Sequence, residues 1–150
     1  VVYSLALLAD FPIATPSAKF CAVFARRGMV PDGGMTRSLQ MVVGYSKALE
    51  LMMTTDNIDA QEAQRIGLVN KIVEPEQLLD EAREMAGKLL QQAPFSLAFI
   101  KKAAQHAWSC NHASAIEFES WGQAICRHSD DIKEGVNSFL EKRLPQFKGR

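Results

Sequence analysis

Apolar residues recur at helical spacing through most of the chain, but its opening stretch breaks into short mixed runs. Leu78, Leu79, Ala82, Met85, Ala86, Leu89 and Leu90 fall three and four residues apart, which places them on one face of an α-helix. Pro75 suits the first position of that helix, and Pro94 is expected to end the run. Further helices are predicted at about 95–108, 113–127 and 130–142, the last starting from Ser129 with Asp130 and Asp131 near its positive end. Upstream, "MTRSLQMVV" reads as a short helix stopped at Gly44, and "SKALELMMT" as another starting from Ser46. Asp59-Ala-Gln-Glu62 has the spacing of a capping box, with Gly67 closing that helix. Residues 4–9, "SLALLA", are helix formers, whereas "FPIAT", "AKFCAVF" and "LVNKIV" hold branched or aromatic residues and predict short strands.

The organisation is therefore lopsided, with a little extended structure up to about residue 30 and a helical region after residue 45. One or two short strands leave edges unpaired and bury almost no core. Strand partners for the first part are accordingly expected before Val1.

Composition narrows the function classes. At 150 residues and 47% apolar content the chain can bury a core, which excludes global disorder. Seventeen basic and seventeen acidic residues cancel, so no electrostatic case exists for a nucleic-acid groove or an anionic membrane surface. No apolar run has membrane-spanning length, and the start lacks the basic flank of a signal peptide. Cys21, Cys110 and Cys126 are odd in number and widely spaced, which fits thiols in a reducing, cytoplasm-like compartment. His106 and His112 are too far apart along a helix to share a metal, and His128 is remote from both, so no metal is expected.

The loop "GMVPDGGMTR" at 28–37 holds the remaining candidate, Asp32. Pro-Asp-Gly is ordinary turn chemistry, and an aspartate there can cap the following helix. The functional alternative is a carboxylate held on a rigid loop among apolar walls, for which Met29, Val30 and Met35 are the candidates. Burial there would raise its pKa above ~3.9 and suit it to moving a proton within one substrate.

Three stretches carry a resemblance: "SLALLADFPIATPSAKFCAVFARRGMVPDGG", "VGYSKALELMMTTDNIDAQEAQRIGLVNKIVEPEQL" and "KEGVNSFLEKRLPQFKGR". In this order they resemble the second half of the crotonase superfamily, the enoyl-CoA hydratases and isomerases. The resemblance implies an α/β fold. It implies that residues 1–45 form the end of a spiral of ββα units with the active-site loop, and 46–150 a mainly helical trimerisation region. The trimers are often paired into hexamers. It implies an acyl-CoA thioester substrate, with coenzyme A arriving as part of that substrate and no separate cofactor. Two backbone N–H groups are implied to hold the thioester oxygen.

Family hydratases place two glutamates where this chain has Ser4 and Phe24, while Asp32 matches the catalytic acid/base of 3,2-enoyl-CoA isomerases. The tail looks most like the phenylacetate-pathway isomerase type. Δ3,Δ2-enoyl-CoA isomerisation by Asp32 is thus the expected reaction. Enoyl-CoA hydration and a truncated, non-catalytic oligomerisation or acyl-CoA-binding module are the alternatives. The second oxyanion glycine falls at about Val1 and the first donor before it, so these residues alone are expected to make a poor enzyme.

Phe139, Lys142 and Arg143 fall within one helical turn. The plain reading is a solvated amphipathic helix. The resemblance instead makes Phe139 and Lys142 contacts to the coenzyme A nucleotide. Trp108 and Trp121 are expected as helix-packing anchors, and a mitochondrial or peroxisomal matrix location stays open beside the cytoplasm.

Overall fold

A computed structural model describes residues 2–150. The order is α1 (Val2–Ala6), β1 (Ile13–Ala14), β2 (Lys19–Phe20), α2 (Met35–Val43), α3 (Tyr45–Thr54), β3 (Ile58–Asp59), α4 (Ala60–Arg65) and β4 (Lys71–Ile72). Then follow α5 (Leu78–Leu90), α6 (Pro94–Ala107), α7 (His112–Arg127) and α8 (Asp130–Leu140). Single 3-10 turns occupy Ala25–Arg27 and Pro75–Gln77. Among the described residues, no helix is long and apolar enough to cross a membrane.

The strands are two residues each and pair across long stretches of chain. Parallel β1 and β4 align Ile13 with Lys71 and Ala14 with Ile72. Antiparallel β2 and β3 align Lys19 with Asp59 and Phe20 with Ile58. Pairing continues one step past β1–β4, where Asn70 N–H donates to the Pro12 carbonyl and Val73 N–H to that of Ala14.

Chain packing divides the molecule into two compact units, 1–82 and 83–150, whereas the division drawn from the sequence separated 1–45 from 46–150. The first unit holds the buried core. Met35 and Leu39 of α2 are wholly enclosed, with Ala48, Leu51 and Met52 of α3, Ala63 of α4, and Leu68 and Val69 beside them. The small residues Ala60 and Ala63 let α4 approach the strands, and Phe20 and Ile58 pack against the core.

Several element boundaries differ from expectation for local reasons. Gly44 both ends α2 and starts α3, so Ser46 lies inside α3 and does not cap it. Its φ of 82° and ψ of 159° belong to a region that is essentially glycine's alone. Pro75 opens a 3-10 turn ahead of α5, and Pro94, expected as a terminator, is the first residue of α6. Both uses follow from proline's missing N–H, which costs nothing in a first turn. Asp59 caps α4 by accepting from Glu62 N–H at 2.8 Å. The Glu62 carboxylate, which would form the reciprocal half of the box, is engaged by the Arg65 guanidinium instead. The helix expected at 4–9 is only Val2–Ala6 and continues as i→i+3 turns through Ala9.

In the second unit, α6 and α7 pack through a close approach of Phe99 to Gly122, where an added Cβ would sit 3.3 Å from the Phe99 ring. Neither α5 nor α6 has a buried residue. Trp108 and Trp121, expected as packing anchors, are 47% and 67% exposed.

Candidate active site

The loop carrying Asp32 is shaped by glycines. Gly28, Gly33 and Gly34 all take positive φ, 68°, 60° and 77°, which side-chain-bearing residues adopt only under strain. Gly33 has a second reason to lack a side chain: a Cβ there would lie 2.9 Å from Ser4 Cβ. The loop is thus pressed against α1, and Ser4 Oγ donates to Asp32 Oδ1 at 3.5 Å across 28 residues of sequence. Ser4 is buried.

Asp32 does not cap α2. The N-cap position is Gly34, and no side chain bonds the free N–H groups of that helix. The carboxylate is left for other work. It lies at the rim of a cavity of about 630 Å³ lined by Tyr3, Phe20, Val23, Phe24 and Met29, with Cys21, Lys19 and Arg27 also at its wall. It is the one carboxylate among the described lining residues. Contrary to expectation, Asp32 itself is exposed, Val30 is 76% exposed, and Met35 is buried in the core under α2. Of the three expected wall residues only Met29 lines the cavity, and the aromatic walls come from α1, β2 and the turn after it.

Two side chains that sequence reasoning left out of the site matter here: Arg26 precedes the lining residue Arg27, and Tyr3 lines the cavity itself. Arg26 donates from Nε to Thr55 Oγ1 at 3.1 Å and from Nη2 to the Thr55 carbonyl at 2.9 Å, and Cys21 Sγ donates to the same carbonyl at 3.2 Å. Thr55 is buried and takes φ 59° at the end of α3, so these bonds over-determine a conformation that a threonine disfavours. Nothing local signals a partnership across 29 residues. Tyr3 is the second. Its ring packs on Phe20 with centroids 5.6 Å apart, and its hydroxyl is buried with no hydrogen-bond partner among the described residues. Burial, and then the neighbouring Cys21 thiol, push the phenol up to about 12.

Phe139 and Lys142 belong to the other unit. Phe139 is 82% exposed on α8 and lines an apolar hollow with Phe95, Ile132, Val136, Leu140 and Phe147. Lys142 is not on the helix, which stops at Leu140 and not at 142 as the pattern suggested. Arg143 N–H reaches back to the Ser138 carbonyl at 3.0 Å and Lys142 N–H to that of Phe139 at 3.2 Å, a Schellman close. Val1, where the second oxyanion glycine was placed, lies outside the described residues.

A short-stranded α/β core, a loop-borne carboxylate facing an aromatic cavity, and a helical C-terminal unit define a crotonase-type protein, and comparison bears this out. The model of the enoyl-CoA hydratase/isomerase family matches residues 3–150, and the chain belongs to that family. It is 37% identical over 147 residues to short-chain-enoyl-CoA hydratase of Clostridium acetobutylicum, covering 97% of this chain and 56% of that protein. It is 36% identical over 147 residues to 1,2-epoxyphenylacetyl-CoA isomerase of Escherichia coli, covering 98% and 56%. The crystal structure of enoyl-CoA hydratase from Bacillus anthracis superposes with a TM-score of 0.94 at 31% identity, covering 99% of this chain and 57% of that one. The chain therefore spans a little over half the length of these relatives, and its helix-rich fold is consistent with the C-terminal portion of theirs.

Proposed function

We propose that this chain carries the acid/base of a Δ3,Δ2-enoyl-CoA isomerase and that Asp32 is that group. The observation that carries the reading is a single carboxylate, unspent on helix capping, at the wall of an aromatic cavity that also holds Phe24 and rests on Ser4. Asp32 takes a proton from C2 of a 3-enoyl thioester, and the C–H electron pair moves to the thioester oxygen as an enolate. The enolate then collapses. Its carbonyl re-forms, a C2–C3 double bond forms, and the former C3–C4 π pair takes the proton back from Asp32 at C4. One carboxylate serves both ends, and nothing is added to the substrate. Two backbone N–H donors are expected to stabilise the enolate, as the family resemblance implies. The relative named as an isomerase supports this side of the family.

Coenzyme A is the thioester end of the substrate and not a separate cofactor. Phe139 supplies an exposed ring for its adenine and Lys142 a cation for its phosphates, as the family resemblance suggests. The assembly we propose is a homotrimer, or a hexamer of paired trimers, built on the C-terminal unit. The support is its exposed apolar side chains, Trp121, Ile116, Ile125 and Leu140 among them.

Conversion of a 3-enoyl-CoA to its conjugated 2-enoyl isomer, followed by absorbance, tests the reading. Asp32→Asn is expected to lower the rate about a hundredfold or more. An unchanged rate in Asp32→Asn removes Asp32 from the chemistry. The relative named as a hydratase favours enoyl-CoA hydration as the second reading. A 3-hydroxyacyl-CoA product would decide for it.

A further inference from the structure

The end of α8 is built in an unfavourable way. In a Schellman close the residue after the cap takes the left-handed conformation and is ordinarily glycine, which pays no steric penalty there. This chain places Lys142 at that position with φ 54°, one of only two described non-glycine residues with positive φ. Strain of this kind persists where the surroundings over-determine it.

The surroundings are a clasp on the following residue. Arg143 Nη2 donates to Glu134 Oε2 at 2.9 Å, a second donor from Nη1 meets Glu134 Oε1, and Nε donates to Glu141 Oε2 at 2.6 Å. Glu134 lies two turns back on α8 and also accepts from Gln146 N–H at 2.7 Å. The same carboxylate therefore holds two residues beyond the bend, Arg143 and Gln146, to the body of α8, and Lys142 is the residue between Glu141 and Arg143 whose side chain takes no part in the clasp bonds. Glu134 sits low, at about 2, held by the Arg143 fork and the Gln146 N–H, while Arg143 is raised. The clasp is thus fully charged at neutral pH.

We propose that Glu134 is a positioning residue: through Arg143 it fixes the left-handed turn at Lys142 and so aims the lysine ammonium at a phosphate. The proposal rests on the reading of Lys142 as a contact to the phosphate-bearing end of coenzyme A. A lysine is a flexible point charge, and holding its Cα in a rare backbone state narrows the directions its stem can take.

The test is calorimetric titration of the chain with coenzyme A itself, alongside Glu134→Gln, Lys142→Ala and the double variant, with far-UV circular dichroism to show that each keeps its helices. Glu134→Gln is expected to weaken binding several-fold, by about as much as Lys142→Ala, and the double variant to be no weaker than Lys142→Ala. In a Lys142→Gly background, which relieves the strained turn and deletes the cation, Glu134→Gln should leave the affinity unchanged. If the two losses multiply, or if Glu134→Gln binds like the parent chain, the positioning role is overturned while the Lys142 reading stands. If the parent chain does not bind coenzyme A, the Lys142 reading falls and the proposal falls with it. If Glu134→Gln loses its helical signal, Arg143→Gln replaces it, and unchanged affinity in that variant counts against the proposal.

Discussion

Tyr3 shows how much a single atom can reveal. A buried hydroxyl without a partner forfeits its hydration, at a cost of about 1–3 kcal/mol. Tyr3→Phe is therefore expected to leave stability unchanged or to raise it by about 1 kcal/mol, measurable by urea denaturation. Its titration has a definite sign. The folded-state pKa is raised from 10.0 to about 12, so the folded chain holds its proton where the unfolded chain has released it. The stabilising contribution is complete below pH 10 and is lost as pH rises toward 12. The parent chain should lose stability through that window by this route, and Tyr3→Phe should not. Glu134 has the opposite sign. Its folded pKa is depressed to about 2 from 4.5, so the clasp's contribution is complete above pH 4.5 and is lost as pH falls toward 2. The protection of the Gln146 amide, measured against its intrinsic exchange rate at each pH, should be high at pH 5 and fall as pH approaches 2.

At the scale of elements, what could be read in advance was what is local. Gly44 after an apolar run marked the end of α2, and Asp59 three residues before Glu62 marked the start of α4, because each signal is one side chain meeting one turn. Asn111 caps α7 by accepting from Ser114 N–H at 3.0 Å, a signal of the same kind that went unread beside the less specific pattern at 113–127. Asp32 was legible as a candidate, but its surroundings were not. The contacts next to the cavity, Ser4 with Asp32 and Arg26 with Thr55, join residues 28 and 29 apart, and no periodicity encodes them. The aromatic walls came from Tyr3, Phe20 and Phe24, and of the loop's own methionines and valine only Met29 joins them, because α2 turns Met35 into the core. Leu39, wholly buried one turn further on, should be the stronger structural test. Leu39→Ala is expected to cost about 2–5 kcal/mol, read as a lower midpoint in chemical denaturation, with no effect expected on coenzyme A binding if the fold persists.

At the scale of the whole molecule, the two units differ in how they meet water. Both expose apolar side chains, but the first closes a core around α2 and α3, whereas the second buries no large apolar side chain among the described residues. Light scattering is expected to give a mass of three or six chains, and Trp121→Glu, at a 67% exposed site, to shift it toward the single chain while helical content stays. A monomeric parent chain would reject the assembly reading. The contact between Gly33 and Ser4 has a further consequence, for ancestry. A side chain longer than serine at position 4 would have to occupy the space where Gly33 already presses and Asp32 already sits. A glutamate introduced there alone would both displace the loop and set two like charges side by side, each hindering the other's ionisation. A lineage passing between one-carboxylate and two-carboxylate chemistry would therefore meet a valley at this position, crossed only if the loop withdrew before the second acid arrived.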